Sequence, residues 1–596
     1  MKNKFIWLVL SCLMVLSLVL VSCGTKTTPT TSVTTATTSK TTTTLATTTT
    51  TKATTTSTQA AQIPQYGGSL VYRNTRDISE FDPFYTGSGS YWSGTRLWYE
   101  TVVMPDLTTD PKVFDFTGTY HPFDYDTGRL AERWETADTK TWTLHIRQGV
   151  KWQDLPPLNG REFTASDVEY FYHRQLGLGS GFTKASTYIG WDNYKLITSV
   201  KATDKYTVVF TLSQPDLETM RFLFEGCYDG IMSREAVEKW GDVRTWQRQI
   251  GTGPFILKDY VSASSWTAVK NPNYWGYDKL YPKNQLPYLD EIKVLIIPDN
   301  ATAYAALRTG KIDMVESVTW QQSAALLKTN PSLKSIAWPQ NGWSILMHVD
   351  TKPFDDIRVR KAMQMSLDLL TIAKVYYGGT VSSTIYGAYA LSGYYTPFEQ
   401  WPQDVKDGFT YNPDGAKKLL AEAGFPNGFK FTLYASSVHD LDFYQVLKSY
   451  LADVGIDMQI NAMENTAWLA YTQGDKADTM SYQLTTNVNY PPMVWINQYH
   501  TGHYTWRGRI SDPAYDKMWN EVKLLTAVEQ QKQMIIKMSD YATAQYWRIS
   551  TQPFNYFAIW QPWLKGYNGA LTRDGVLGTP TRTMWIDQNL KKSMGY

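Results

Sequence analysis

Cysteine is scarce in this chain, which contains three among 596 residues. Cys12 and Cys23 lie near the N-terminus, ahead of the expected folded body, which holds only Cys227. A disulfide within the body is therefore excluded, and a body of this length can form a stable core without one. Because Cys227 follows an apolar run, we expect it to be a small core residue.

The chain also lacks a marked excess of positive or negative charge. The chain has 57 Lys and Arg residues against 55 Asp and Glu residues, which gives a formal net charge of +2. Removal of Lys2 and Lys4 with a cleaved N-terminal segment lowers this charge to zero. Proteins that bind nucleic acid usually carry a basic surface. We therefore expect no nucleic-acid partner.

The motifs of common catalytic sites are absent from the sequence. It has no Gly-x-Ser-x-Gly elbow, no phosphate-binding loop of the Walker type and no His-Glu-x-x-His. Gly87 and Gly89 lack the third glycine of a dinucleotide-binding turn. His500 and His503 have no neighbouring Cys or carboxylate that would complete a metal shell, which favours a surface or core role. We predict no cofactor, no metal and no enzymatic activity.

The N-terminus has the pattern of a bacterial lipoprotein signal. Lys2 and Lys4 precede the apolar stretch Phe5–Val21, and Leu20–Cys23 ends it. The length and the flanks of this stretch fit a cleavable signal in residues 1–22 rather than a membrane span. Cys23 would then carry the lipid. The alternatives are an ordinary secretion signal with a chance cysteine, or an uncleaved anchor helix.

A polar tether follows the signal. Residues 25–58 are almost entirely Thr and Ser, with a few Ala, Lys, Val and Pro. Such a segment cannot bury a core and is expected to be disordered, with a reach on the order of 30 Å. We assign residues 23–61 to this tether. The folded body is thus expected outside the cytoplasm, anchored by lipid to the outer face of the cell membrane.

The body is long and rich in aromatic residues. About 535 residues remain after the tether, more than one core usually organises, so two or more lobes are expected. Aromatics make up 14% of the chain, with 23 Trp and 40 Tyr. This excess suits a ligand cleft, although for any single Trp a core position is favoured.

Strand-like and helix-like segments alternate along the body. Trp142–Arg147 and Tyr206–Leu212 alternate apolar and polar residues, and Ile292–Ile297 is a short apolar run; all three predict strands. Asp355 or Asp356 can cap a helix. These segments predict an α/β fold.

A second helix is predicted more sharply by its end signals. Asn412 can act as the N-cap, and Pro413 suits the first helical position. Leu419 and Leu420 point inward, and Gly424 ends the helix.

Several short segments occur in the order and spacing found in a known family. Each is weak alone, but together they span residues 62 to the C-terminus. They are Tyr66–Leu70, Phe81–Pro83, Leu130–Trp134, Thr141–Trp152, Phe163–Val168, Gly251–Phe255, Asn271–Trp275, Pro287–Asp290, Ala306–Asp313, Pro353–Arg360 and Ala416–Gly424. In these segments the chain resembles the bacterial extracellular solute-binding proteins of family 5.

The resemblance implies a function and a fold. The family comprises receptors of ABC importers for peptides, nickel and some oligosaccharides, with a two-lobed α/β clamp that has an extra inserted domain and mixed sheets surrounded by helices. Such a receptor closes around a small-molecule ligand by hinge motion and docks on the permease and its ATPase subunits. We expect a monomer. The implied division is lobe I in residues 62–105, 231–343 and 549–596, inserted lobe II in 106–230, and lobe III in 344–548.

The resemblance also implies a ligand site. Peptide receptors of the family hold the ligand's ammonium with an aspartate in a segment such as Asp-Tyr-Pro-Asp-Pro, and Asn489 stands at that position here. A neutral amide compensates a buried ammonium only in part. Either Glu316 provides the negative charge that pairs with the ammonium, or the ligand has no free ammonium and is an oligosaccharide. We favour an oligopeptide over an oligosaccharide as the ligand, because peptide receptors dominate the family.

Sugar recognition would use aromatic faces and amides. The residues expected at the ligand site are Gly87, Gly89, Glu316, Trp343, Asn487, Asn489, Tyr490, Trp495 and Tyr556. Two other classes of protein are weighed. A cell-wall hydrolase would need an acid pair across a cleft, for which the sequence offers no candidate, and a structural surface lipoprotein would need no closing cleft.

Overall fold

Alternating burial along the predicted strands positions the sheets. In Thr207–Leu212, the side chains of Val208, Phe210 and Leu212 are buried and those between them are partly exposed.

The computed structural model describes residues 63–85, 94–117, 122–186, 194–216, 224, 230–381, 393–483, 492–503, 508–572 and 575–596. Residues 63–596 form one unit.

The strands fall close to the predicted segments. The predicted strands at 142–147, 206–212 and 292–297 are confirmed as β5, β7 and β10. In chain order the strands are β1 Ser69–Asn74, β2 Val103–Pro105, β3 Asp126–Gly128, β4 Ala131–Thr136, β5 Thr141–Ile146, β6 Ile197–Asp204, β7 Thr207–Leu212, β8 Phe255–Val261, β9 Ser265–Lys270, β10 Glu291–Ile296, β11 Met314–Val318, β12 Lys334–Gln340, β13 Trp343–Met347, β14 Lys430–Ser436, β15 Asp457–Met463, β16 Thr479–Gln483, β17 Arg548–Ile549, β18 Phe554–Trp560, β19 Leu564–Lys565 and β20 Trp585–Ile586.

The described residues form three larger sheets. A seven-stranded sheet has the order β12-β18-β11-β1-β10-β9-β8 and is mixed, because β1 pairs in parallel with β10 and β11 while β18 is antiparallel to β11 and β12. A four-stranded antiparallel sheet has the order β4-β5-β7-β6. A five-stranded mixed sheet has the order β15-β14-β16-β13-β17. Mixed sheets of this kind are common in α/β folds.

The helices begin where the capping residues predict. Asp356 caps α5 by accepting a hydrogen bond from the backbone N–H of Arg358, and Asn412 caps α8 by accepting one from Gly415 at 2.8 Å. The helices are α1 Ala165–Leu176, α2 Arg234–Trp240, α3 Asn300–Arg308, α4 Trp320–Thr329, α5 Ile357–Met365, α6 Leu369–Val375, α7 Gln403–Phe409, α8 Pro413–Glu422, α9 Leu441–Asp453, α10 Asn465–Gln473, α11 Pro492–Ile496, α12 Pro513–Val522, α13 Val528–Ala544 and α14 Gln588–Ser593.

Separate hydrophobic cores support the sheets. One core joins a face of the seven-stranded sheet, including Leu70 and Tyr72, to the four-stranded sheet, including Trp142 and Phe210. A second core lies around the five-stranded sheet and helices α5 and α9. Among the described residues, no helix is long and apolar enough to cross a membrane.

Candidate ligand-binding site

The chain crosses twice between the seven-stranded and the five-stranded sheet. Gln340 ends β12 and Trp343 begins β13, so two residues make the first crossing. The second crossing runs from Ile549 at the end of β17 to Phe554 at the start of β18. The two crossings touch, because a Cβ atom added to Gly342 would lie 2.3 Å from the carbonyl oxygen of Thr551.

Hydrogen bonds hold the second crossing in place. The Ser550 backbone N–H donates to the side-chain oxygen of Gln364 at 2.8 Å, and the Gln364 amide donates to the Ser550 carbonyl at 3.0 Å. The Thr551 hydroxyl donates to the carbonyl oxygen of Trp343 and so joins the two crossings. The start of this segment is therefore fixed to the part of the chain that carries the five-stranded sheet.

A cavity of about 400 Å³ opens beside the start of β18. Four separate segments form its wall: residues 319–322 around the start of α4, residues 376–377 after α6, residues 438–442 around the start of α9, and residues 554–556 of β18. Two of these segments belong to the part of the chain that carries the seven-stranded sheet and two to the part that carries the five-stranded sheet, so the cavity lies between these two parts.

Aromatic rings make up much of this wall. They are Trp320, Tyr376, Tyr377, Phe554 and Tyr556. Phe554 stacks against Tyr377, with ring centroids 5.8 Å apart and an interplanar angle of 6°. The indole N–H of Trp320 donates to the carbonyl oxygen of Tyr376 at 2.9 Å, which connects α4 to the end of α6.

Asp440 is an acidic group in the wall of the cavity. It caps helix α9, since its Oδ1 accepts hydrogen bonds from the Phe443 backbone N–H at 3.0 Å and from the Tyr376 hydroxyl at 2.7 Å. Burial raises the pKa of the Asp440 carboxyl, while these two hydrogen bonds oppose the rise. Asp442, the second residue of the same helix, also lines the cavity and is exposed.

The neighbouring histidine carries no balancing charge at neutral pH. Burial lowers the pKa of His439 to about 4, so its imidazole is neutral. Its Nδ1 lies 2.7 Å from the Ser481 hydroxyl, and its ring packs against Trp343 and Trp468 at centroid distances of 5.0 and 4.8 Å. His439 is therefore a neutral part of the cavity wall.

Glu316, the predicted substitute acid, does not line this cavity. It lies on β11, where it accepts a hydrogen bond from the buried Tyr72 hydroxyl. Burial raises the pKa of Glu316 to about 7, against the lowering effects of that hydrogen bond and of Arg73. The structure thus places Glu316 and the Asp440 carboxylate in different surroundings.

The two described aromatic residues of the predicted site differ in position. Tyr556 lines the cavity, as expected for a ligand contact. Trp343 is only 4% exposed and stacks on Phe554, with centroids 6.0 Å apart and an interplanar angle of 10°. Trp343 therefore packs in the core behind the cavity wall and does not present a face to the cavity.

The remaining predicted site residues cannot be placed. Gly87, Gly89, Asn487, Asn489 and Tyr490 lie outside the described residues, as do Cys23 and Cys227. Trp495 belongs to helix α11, but its side chain is not described. Within the described part of the chain, no group of three or more His, Cys, Asp or Glu side chains could hold a metal ion.

The fold is the two-lobed α/β fold of periplasmic binding proteins, with separate sheets, two chain crossings and a cavity between them. The chain belongs to the bacterial extracellular solute-binding proteins, family 5, whose family model matches residues 127–506. Members of this family are transport receptors and not enzymes.

Known proteins resemble the chain over most of its length. Glutathione-binding protein GsiB of Salmonella typhi is 29% identical over 433 residues, which are 68% of this chain and 78% of that protein. The ABC transporter-associated periplasmic binding protein DppA of Helicobacter pylori, solved with the peptide STSA, has a TM-score of 0.69 and 22% identity and covers 88% of this chain and 99% of its own. AgaA of A. tumefaciens R10, solved with agropinic acid, has a TM-score of 0.66 and 21% identity and covers 87% of this chain and 99% of its own. At these identities the two solved structures show the fold alone.

Proposed function

We propose that this protein captures oligopeptides outside the cytoplasm and delivers them to the permease and ATPase subunits of an ABC importer by closing around the ligand. The observation that carries the proposal is the aromatic cavity between the two crossed-over sheets. Ligand sites of binding proteins lie in such clefts, which bury most of a small ligand on closure.

The crossings support a hinge. In this proposal lobe I contains the seven-stranded sheet and lobe III contains the five-stranded sheet, while the four-stranded sheet belongs to lobe II in residues 106–230. We take lobe III as the part of the chain between the two crossings, with the limits 344–548 that the family resemblance implies. Rotation about two short crossings would change the width of the cavity between the lobes.

The names of similar proteins support a peptide as the ligand. GsiB is a glutathione-binding protein and DppA was solved with a tetrapeptide, whereas AgaA was solved with agropinic acid. An oligosaccharide is the second candidate on one observation: five aromatic rings line the cavity, and sugar rings pack their C–H faces on such surfaces.

The N-terminal pattern supports anchoring. We propose that Cys23 carries lipid and that residues 23–61 tether a monomeric receptor to the outer face of the cell membrane. Anchoring keeps captured ligand close to the permease, since a tether raises the effective concentration of one partner at the other.

Co-purification and calorimetry test the proposed function. Native mass spectrometry of protein isolated from its own host should reveal a bound small molecule, and titration calorimetry should confirm its affinity. Small-angle scattering at saturating ligand should then show a smaller radius of gyration than in the free protein. An unchanged radius with a confirmed ligand would contradict closure, and a lack of any ligand would contradict the receptor function.

A further inference from the structure

The two oxygens of Asp440 are used unequally. Oδ1 accepts both hydrogen bonds of this carboxylate, from the Tyr376 hydroxyl and from the Phe443 backbone N–H. Oδ2 has no hydrogen-bond partner among the described residues. Helix capping therefore occupies one side of the carboxylate, and the other side is available to a group in the cavity.

No positive charge of the described chain balances this carboxylate. Asp440 forms no ion pair with any described Lys or Arg side chain, whereas the buried Asp82 is paired with Arg174 at 2.8 Å. The adjacent His439 is neutral at neutral pH because of its burial. A partly buried carboxylate without a cation is costly, so its presence in a cavity points to a cation that arrives with the ligand.

The walls around Asp440 suit an organic cation. After burial, the charge of Asp440 is the next largest cause of the raised pKa values of Tyr377 and Tyr556, so both rings lie near the carboxylate. Aromatic faces attract ammonium and guanidinium groups. The Tyr377 hydroxyl is buried and has no hydrogen-bond partner among the described residues, which leaves a second polar group unsatisfied beside the cavity.

We infer that Asp440 binds a positively charged organic group of the ligand, an ammonium or a guanidinium, against the aromatic wall of the cavity. This inference rests on the proposed function, because it takes the cavity to be the ligand site. A metal ion fits less well, since hard cations prefer several oxygen ligands and one carboxylate surrounded by rings provides few.

Asp512 serves as a matched control that distinguishes ligand binding by Asp440 from a purely structural role. Asp512 caps helix α12 by accepting hydrogen bonds from the backbone N–H groups of Ala514 and Tyr515, and it also accepts one from the Tyr541 hydroxyl at 2.9 Å. Asp512 thus has a capping contact and a tyrosine contact, as Asp440 does, although its tyrosine donates to Oδ2 rather than Oδ1, and it does not line the cavity. Asparagine caps helices about as well as aspartate. Asp440→Asn and Asp512→Asn therefore remove one charge each and keep the cap.

The test offers four pools to the full-length protein. The first contains tripeptides of uncharged residues with a free α-ammonium, and the second contains the same tripeptides with an acetylated N-terminus. The third contains small ammonium and guanidinium compounds, and the fourth contains neutral oligosaccharides. Native mass spectrometry identifies the retained members, and calorimetry measures their dissociation constants with wild type and both variants.

We expect wild type to retain members of a cationic pool in preference to acetylated peptides. Asp440→Asn should weaken their binding at least tenfold, about 1.4 kcal/mol, while Asp512→Asn should change it less than twofold. Melting temperatures of the two variants should be similar. Equal weakening by both variants, or retained affinity in Asp440→Asn, would overturn the inference.

The pools also separate this inference from the proposed function. Retention of acetylated peptides or oligosaccharides alone, with equal affinity in wild type and Asp440→Asn, would overturn the cation site and leave the receptor function in place. If wild type retains nothing from any pool, both fail.

Discussion

Gly342 lies so close to Thr551 that the first chain crossing has no space for a side chain at position 342. A Cβ atom at Gly342 would lie 2.3 Å from the Thr551 carbonyl oxygen and 2.4 Å from that of Gln552. Both obstacles are backbone atoms, which cannot rotate away. The two crossings between the lobes can therefore approach only because this position is glycine.

Gly342→Ala should destabilise the protein by roughly 1 to 3 kcal/mol, since overpacking forces the backbone to shift. Urea denaturation measures the loss. Gly508→Ala is the control, because a Cβ there would lie 3.2 Å from the flexible end of Ile510 and no nearer than 3.6 Å to a backbone atom, the Met347 carbonyl oxygen. If Gly342→Ala were no less stable than Gly508→Ala, the close contact between the crossings would be contradicted.

Glu316 should make stability depend on pH. Its folded pKa, about 7, lies above its usual value of 4.5, so the stabilisation is present below pH 4.5 and is lost as the pH rises through 7. The groups that face it are Tyr72, Arg73 and Tyr567. Glu316→Gln stays neutral and can still accept the hydrogen bond from Tyr72. At pH 8.5 the variant should therefore be more stable than wild type by roughly 1 to 3 kcal/mol.

The comparison of two pH values provides the control for Glu316→Gln. At pH 4.5 wild type is mostly protonated at Glu316, so the two proteins should unfold at nearly the same urea concentration. A variant that is less stable than wild type at pH 8.5 would show that the Glu316 charge is stabilised rather than penalised in the folded protein.

Local signals in the sequence predicted the elements but not the cavity. Helix α8 was predicted from Asn412 and Pro413 because capping acts over a few neighbouring residues. Strand β7 was predicted from its alternation. Local signals do not single out Asp440, because the sequence does not show which helix-capping residue faces a cavity. The chain fold brings Asp440 beside Tyr556, and that proximity has no local signal.

Trp343 also shows that the sequence alone does not indicate which residues face the cavity. From the sequence, Trp343 is expected among the ligand-site residues as an aromatic ring that could contact sugar, but the side chain is buried against Phe554 and His439. Trp343→Ala should cost roughly 3 to 5 kcal/mol of folding stability through loss of core packing. Trp343→Phe should cost less, since it keeps an aromatic ring in the core. A loss below about 1 kcal/mol for Trp343→Ala, measured by urea denaturation, would contradict the buried position.

Cys23 should determine where the protein is found. Without a thiol at this position no lipid can be attached, so Cys23→Ala should move from the membrane fraction to the soluble fraction if the signal is still cleaved. Immunoblots of fractionated host cells measure the shift, and Cys227→Ala is the matched control that should stay with the membrane. A processed Cys23→Ala protein that still sediments with membranes would contradict the lipid anchor.

Tyr376 should set the pH at which Asp440 becomes competent to bind a cation. Its hydroxyl donates to Asp440 Oδ1 at 2.7 Å and lowers the pKa of a carboxyl that burial raises. Tyr376→Phe removes that donor, so the pKa of Asp440 should rise further, and the carboxylate should form only at higher pH. The other titratable groups at the cavity are His439, Asp442, Tyr377 and Tyr556. The dissociation constant of a retained ammonium compound should therefore begin to rise, on acidification, at a higher pH in the variant than in wild type.

Calorimetry between pH 4.5 and 8 measures the pH dependence of this dissociation constant for both proteins. Coincident curves would show that the hydroxyl does not tune this carboxylate, because the ring and the main-chain contact of Tyr376 with Trp320 are unchanged in the variant.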